Sequence, residues 1–191
     1  MIGVIFGPPG SGKGTQAARV EEELHLKHLS TGDILRAEVA KGTPIGGKAG
    51  RLMAAGDLVP DDLIVDIVRA RLPEAETGAG VLLDGFPRTL AQARALDAML
   101  SEEGHRVDVV IALVVPEGEL VDRILHRAAV EGRADDTRDA IAERMHEYHK
   151  LTHAVLDLYR KQGVRVEMVD GTGDVDGVFG RIRRAVGISS R

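Results

Sequence analysis

The sequence contains no cysteine and no tryptophan, and its 191 residues include only two tyrosines and three phenylalanines. Without cysteine the chain forms no disulfide and offers no thiolate to a metal ion, so we expect no structural zinc. With so few aromatic residues, the core has to be built from aliphatic side chains. The length suits one ordinary domain, and we predict a single domain over residues 1–191.

The sequence also lacks an excess of basic residues and any long apolar run. It has 25 Lys and Arg against 30 Asp and Glu, a formal net charge of −5. This balance predicts no general attraction to nucleic acid or to a membrane surface. No stretch approaches the roughly 20 apolar residues of a membrane span, and the N-terminus does not resemble a signal peptide. We therefore expect a cytoplasmic protein. We also expect a monomer with small-molecule partners.

Short apolar runs alternate with longer segments of helical periodicity. Strand–helix alternation predicts an α/β fold with a five-stranded, mostly parallel sheet and helices on both faces. The predicted strands are Ile2–Phe6, His28–Leu29, Val81–Leu83, Val107–Val115 and Val164–Val169. The predicted helices are Lys13–Leu24, Ile34–Lys41, Ile45–Ala55, Asp61–Arg71, Leu90–Glu103, Glu117–Arg127 and Thr137–Gln162.

A glycine-rich segment lies between the first strand and the first helix. It reads Gly7-Pro8-Pro9-Gly10-Ser11-Gly12-Lys13-Gly14-Thr15. Glycines let backbone N–H groups approach an anion, the helix N-terminus adds partial positive charge, and Lys13 adds a full charge. The segment departs from the strict phosphate-loop pattern because Gly14 follows the lysine and the hydroxyl comes at Thr15. We interpret it as a polyphosphate site within a P-loop three-layer sandwich.

An aspartate at the end of a later apolar strand strengthens this interpretation. The run Val81-Leu82-Leu83 is followed by Asp84, the arrangement in which a carboxylate holds Mg²⁺ directly or through water. Alone the pattern is weak, since a strand-ending aspartate is often a turn residue. Together with the loop it predicts a magnesium–triphosphate site.

The chain resembles the adenylate kinases in their short-lid form over nearly its whole length. The resemblance is carried by residues 10–16 (GSGKGTQ), 30–36 (STGDILR), 55–61 (AGDLVPD), 83–88 (LDGFPR) and 132–136 (GRADD). It implies reversible, Mg²⁺-dependent transfer of the terminal phosphoryl group of ATP to AMP. Within the single domain it implies a monophosphate-binding segment at residues 30–59 and a short loop lid at 128–132.

The resemblance also implies roles for individual residues. The ATP site would comprise Gly10, Ser11, Gly12, Lys13, Gly14, Thr15, Arg123, Arg127 and Gly173. The AMP site would comprise Thr31, Arg36, Met53, Asp57, Leu58, Val59, Gly85, Phe86, Pro87, Arg88, Gln92, Arg133 and Arg144. The catalytic cations would be Lys13, Arg88, Arg123, Arg127, Arg133 and Arg144. Asp84 and Asp33 would hold Mg²⁺ through water, with Asp135 and Asp136 positioning the arginines.

Several readings stay open at the level of sequence. A UMP/CMP kinase shares most of these motifs, and a nucleotide-controlled switch would share the phosphate loop. Gln92 matches the hydrogen-bonding edge of adenine, although helix geometry alone favours an exposed residue. We interpret Arg181, Arg183 and Arg184 as an exposed helix face, and His146, His149 and His153 as a solvated one.

Overall fold

The chain alternates strands and helices, as its periodicity predicts. The structure is a computed structural model and describes residues 1–75, 79–131 and 137–187. Within these residues the strands are β1 (Ile2–Phe6), β2 (Lys27–Ser30), β3 (Val81–Asp84), β4 (Val109–Val114) and β5 (Arg165–Asp170). The helices are α1 (Lys13–Leu24), α2 (Thr31–Ala40), α3 (Pro44–Ala55), α4 (Asp61–Ala75), α5 (Leu90–Glu102), α6 (Glu117–Glu131), α7 (Arg138–Lys161) and α8 (Val175–Ala185).

The five strands form one sheet in the order β2-β3-β1-β4-β5, and every pairing is parallel. This confirms the predicted parallel sheet. Asp84 pairs in register with Ile5 on one side and with Ser30 on the other. The segments that follow β1, β2 and β3 therefore leave the sheet at the same carboxyl edge, where parallel sheets commonly bind ligands.

Both faces of the sheet are covered, which explains the continuous apolar character of the central strands. Successive side chains of a strand point to opposite faces. Val4 and Phe6 accordingly pack in a cluster that reaches Tyr159 of α7, whereas Ile5 packs in a second cluster with Val20 of α1 and Ile182 of α8. Among the helices of the described residues, none is long and apolar enough to cross a membrane.

The three helices predicted between residues 30 and 71 are present, and local signals fix their ends. The Ser30 hydroxyl accepts a hydrogen bond from the Asp33 N–H at 3.2 Å, capping α2. The Thr43 hydroxyl caps α3 in the same way, ahead of Pro44 at the first turn. Gly56 ends α3 with φ of +87°.

The predicted loop lid differs from the structure. Residues 128–131 continue α6, where a loop was expected. The physical reason is composition: Ala128, Ala129 and Glu131 are good helix formers, and no glycine or proline stands between Arg127 and Gly132. Gly132, the last residue of the predicted lid, lies outside the described residues, as do Arg133, Asp135 and Asp136.

Candidate active site

A cleft of about 910 Å³ opens at the carboxyl edge of the sheet. Its lining includes the segment after β1, the ends of β2 and β3, and side chains from α2, α3, α6 and α7. Every described residue that the sequence predicted for the site lines this cleft, with the exception of Ser11. The fold thus brings together residues that are spread over more than 160 positions, from Gly10 to Gly173.

The glycines of the β1–α1 loop are required by its conformation. Gly10 and Gly12 have φ of +79° and +87°, in the left-handed region where other residues are strained. A Cβ at Gly10 would lie 2.7 Å from the Ile124 side chain and 2.8 Å from the Leu120 carbonyl oxygen. The loop therefore packs directly against α6, and its backbone lines the cleft at the N-terminus of α1.

Lys13 begins α1, and its amine turns back toward its own loop. The Nζ atom donates hydrogen bonds to the carbonyl oxygens of Gly7 at 2.7 Å and Pro8 at 3.0 Å. Removal from water lowers the pKa of Lys13 to about 8; Asp84 opposes the shift and neighbouring arginines add to it. A polyphosphate in the cleft would favour the charged amine and compete for its hydrogen bonds.

Ser11 does not present its side chain to the cleft. It is 2% exposed, and a Cβ built on Gly7 would lie 2.5 Å from its hydroxyl oxygen. The hydroxyl has no hydrogen-bond partner among the described residues, whereas the Ser11 N–H donates to the Pro8 carbonyl at 3.1 Å. The predicted contribution of Ser11 to a phosphate site is therefore restricted to its backbone and to the shape of the loop.

Asp84 is 8% exposed and has a neighbour that sequence reasoning missed. The Nε2 atom of His28 lies 3.3 Å from Asp84 Oδ2, and both side chains are nearly buried. His28 reaches this position because β2 pairs with β3, with Ser30 opposite Asp84. No local pattern around His28 announces the contact, since it depends on which strands become neighbours.

The carboxylates at this end of the cleft suit a hard cation. Asp84 Oδ2 lies 4.0 Å from the position of a Cβ on Gly14, so the carboxylate faces the start of α1. Asp33 also lines the cleft, and its Oδ1 accepts a hydrogen bond from Arg36 at 2.6 Å. Mg²⁺ is usually held by one or two carboxylates together with waters and substrate phosphates. The residues present therefore fit Mg²⁺.

Another part of the cleft wall carries two of the predicted arginines, Arg88 and Arg144. Arg88 donates from Nε to the Gly85 carbonyl at 2.9 Å, which holds its guanidinium close to the end of β3. Arg144 of α7 reaches the Met53 carbonyl at 3.4 Å and so connects α7 with the end of α3. Arginine grips phosphate oxygens in pairs and keeps its charge, so this wall suits a second anion.

Gln92 is buried, contrary to what helix geometry alone predicted. It is 2% exposed, although part of it lines the cleft. Its Oε1 accepts a hydrogen bond from the Arg88 N–H at 2.7 Å, and its Nε2 donates to Asp61 Oδ1 at 2.6 Å. The amide is thus held by two protein contacts, in a residue that also lines the cleft.

Residues of α7 and α8 add features that sequence reasoning missed. Tyr148 and Thr152 of α7 line the cleft, although the sequence predicted only that they lie in a helix. Arg181 of α8 is not simply exposed: it donates from Nε to the Asp170 carbonyl at 2.8 Å and from NH2 to the Thr172 carbonyl. These contacts hold the segment that leads from β5 to Gly173 at the edge of the cleft.

A phosphate loop at the carboxyl edge of a parallel sheet, in a cleft that several arginines also line, defines a P-loop nucleotide-binding protein of the phosphotransferase class. Comparison with known proteins agrees with this class. The family model for adenylate kinase matches residues 5–164. The chain is 51% identical over 185 residues to an adenylate kinase of Thermus thermophilus, covering 97% of this chain and 96% of that protein.

Similar agreement is found with other bacterial relatives. The adenylate kinase of Xylella fastidiosa strain M12 is 47% identical over 184 residues, which covers 96% of this chain and 98% of the relative. That of Xanthomonas oryzae pv. oryzae strain MAFF 311018 is 48% identical with the same coverage. The chain belongs to the adenylate kinase family, which confirms the resemblance drawn from its motifs.

Proposed function

We propose that this protein catalyses the reversible transfer of the terminal phosphoryl group of ATP to AMP, giving two molecules of ADP. The observation that carries the proposal is that Lys13 and the phosphate loop line the same cleft as Arg88 and Arg144. Two polyanions must be brought into contact for this transfer, and cations that line the cleft reduce their repulsion. The family names of its relatives support the same activity.

The donor half is assigned to the loop and to α6. Backbone N–H groups from Gly10 to Thr15, with the Lys13 amine, bind the β and γ phosphates of ATP. Arg123 and Arg127 contribute charge from the α6 side, and Arg123 is already oriented by a hydrogen bond to the Gly171 carbonyl at 3.1 Å. Gly173 faces the base of ATP.

The acceptor half is assigned to the segment from α2 to the start of α5. Arg36, Arg88 and Arg144 bind the monophosphate, with Arg133 as a further candidate outside the described residues. The adenine and ribose contacts come from Thr31, Met53, Asp57, Leu58, Val59, Gly85, Phe86, Pro87 and Gln92. No general base is needed, because the attacking phosphate oxygen is largely ionised at neutral pH.

When bound, Mg²⁺ would neutralise part of the negative charge on the phosphates of the donor. Asp84 and Asp33 are proposed to hold it through water. His28 fixes the direction of the Asp84 carboxylate by its contact with Oδ2. Phosphate oxygens complete the donor set that Mg²⁺ prefers.

A coupled assay of ADP formation from ATP, AMP and Mg²⁺ tests the proposal, with UMP, CMP and GMP as competing acceptors. We expect AMP to give the highest kcat/KM. Faster turnover with UMP or CMP would identify a pyrimidine monophosphate kinase instead. Slow ATP hydrolysis that monophosphates do not accelerate would favour the nucleotide switch; the number of arginines in the cleft argues against it, because a switch needs one.

We further propose a cytoplasmic monomer in which residues 30–71, which include the monophosphate-binding segment 30–59, and residues 128–132 close over the substrates. Closure would exclude water and prevent hydrolysis of ATP. Sedimentation analysis tests the oligomeric state, and cell fractionation tests the location. Protection of both segments from hydrogen exchange in the presence of a two-headed dinucleotide analogue tests the closure.

A further inference from the structure

The amide of Gln92 has a fixed direction because of the groups that hold it. Asp61 Oδ1 accepts from Gln92 Nε2 at 2.6 Å, and the Arg88 N–H donates to Gln92 Oε1 at 2.7 Å. A carboxylate can only accept and a backbone N–H can only donate. Turning the amide over would therefore place its oxygen against the Asp61 carboxylate and its NH2 group against the Arg88 N–H, and neither pair can form a hydrogen bond.

Asp61 is itself held by a hydrogen bond from the residue that caps the start of α5. Its Oδ2 accepts from the Thr89 hydroxyl at 2.8 Å, and that hydroxyl caps α5 by accepting from the Gln92 N–H at 3.1 Å. Asp61 lies in the first turn of α4, so its carboxylate joins the starts of two helices. It does not line the cleft and acts from behind Gln92.

The fixed direction decides which base edge the amide can match. A primary amide has two N–H donors and an oxygen with two lone pairs. The contacts with Asp61 and Arg88 occupy one N–H donor and one lone pair of the Gln92 amide. One N–H donor and one lone pair remain, and the fixed amide direction determines on which side each of them lies. Adenine presents an amino donor beside the N1 acceptor, whereas a 6-oxopurine presents an oxygen acceptor beside an N1–H donor. A free amide could match either edge by rotating, but a fixed one matches a single order.

We propose that Asp61 is a positioning residue that makes the acceptor site select a 6-aminopurine over a 6-oxopurine. Asp61 does so by fixing the amide direction of Gln92, without touching the nucleotide. The proposal rests on the proposed function, in which Gln92 faces the base of the acceptor monophosphate. It extends that function by naming the residue that sets the polarity of base recognition.

The test compares AMP with IMP, whose base is hypoxanthine and differs from adenine only at this edge. The ratio of kcat/KM for AMP to kcat/KM for IMP is measured with ATP for the wild type, Asp61→Asn and Asp62→Asn. Asparagine can turn either an oxygen or an NH2 group toward Gln92, so it removes the preference at this end of the amide and leaves the Arg88 N–H as the only group of the two that still favours one direction. Asp62 is the matched control, because it lies in the same helical turn but its Oδ1 accepts from the Leu63 N–H.

We expect the wild type and Asp62→Asn to share a high ratio and Asp61→Asn to lower it about tenfold, the effect of one charge-assisted hydrogen bond. Both rates come from the same sample, so partial unfolding cancels from the ratio. Asp61→Ser, whose hydroxyl donates or accepts, replaces Asp61→Asn if that variant does not fold, with the same expectation.

The outcomes separate the inference from the proposed function. A wild type that forms no ADP from ATP and AMP would contradict the function itself. A wild type that prefers AMP, with an Asp61→Asn ratio within twofold of it, would contradict the role of Asp61 alone. Equal use of AMP and IMP by the wild type would also overturn the inference.

Discussion

The Lys13 amine donates a hydrogen bond to the carbonyl oxygen of Gly7, 2.7 Å away and six residues earlier in the same loop. Carbonyl oxygens of the loop thus accept the hydrogen bonds of the Lys13 amine. A bound phosphate would replace them, because its negative charge makes it the stronger acceptor. Lys13→Met removes the charge and keeps the aliphatic stem. We expect kcat to fall by about 100-fold or more, with little loss of thermal stability. Lys48→Met, at an exposed position of α3, is the control and should retain normal turnover.

Lys13 also predicts a pH dependence of stability. Its pKa in the folded protein is about 8, below the ordinary value of 10.5. Between these two values the unfolded chain holds the proton more strongly, so the free energy of unfolding rises with pH across this window. We expect the wild type to gain stability relative to Lys13→Met between pH 7 and 10, as measured by urea denaturation. A constant difference between the two proteins would contradict the lowered pKa.

Arg88 provides a test of the acceptor wall. Arg88→Met should raise KM for AMP and lower kcat by about tenfold or more, because the bidentate grip on a phosphate is lost. KM for ATP should change less, since the donor half is held elsewhere in the cleft. Arg94→Met, at an exposed position of α5, removes the same charge away from the cleft. Equal effects of the two substitutions on KM for AMP would remove Arg88 from the acceptor site.

Much of the fold follows from local pattern, and much of the site does not. The helix Lys13–Leu24 has the predicted limits, with the left-handed backbone of Gly12 before its first residue and that of His25 after its last. The contacts of His28 with Asp84 and of Gln92 with Asp61 depend on which strands and helices become neighbours. Periodicity carries no information about such pairs, so the sequence predicted their members singly or not at all.

The lid shows the same limit in another form. Resemblance placed a loop directly after Arg127, whereas the local preferences of Ala128, Ala129 and Glu131 extend the helix. The family resemblance indicated which residues belong to the site. It did not determine the backbone conformation after Arg127, which follows the helix propensity of the residues there. Family resemblance and helix propensity are therefore both needed, because the first indicates site residues and the second indicates backbone conformation.

Gly56 tests the junction between α3 and α7. A Cβ there would lie 2.7 Å from the Ala140 carbonyl oxygen, and its φ is +87°. Gly42 is a matched control, because its φ is also positive and nothing lies within 4 Å of an added Cβ. We expect Gly56→Ala to cost about 1–2 kcal/mol more than Gly42→Ala in the free energy of unfolding. Equal losses would show that the junction adapts to the methyl group.

Arg181 tests how the far edge of the cleft is held. Its guanidinium donates to the carbonyls of Asp170 and Thr172, and hydrogen bonds from Thr172 lower the pKa of the Asp170 carboxyl. Arg181→Met should release the segment before Gly173 and raise KM for ATP about fivefold, because the base loses a positioned surface. KM for AMP should remain within twofold, since that site is formed by other elements. Arg184→Met, exposed on the same helix, should change neither constant. An equal rise in both KM values would instead mean that Arg181 supports the domain as a whole.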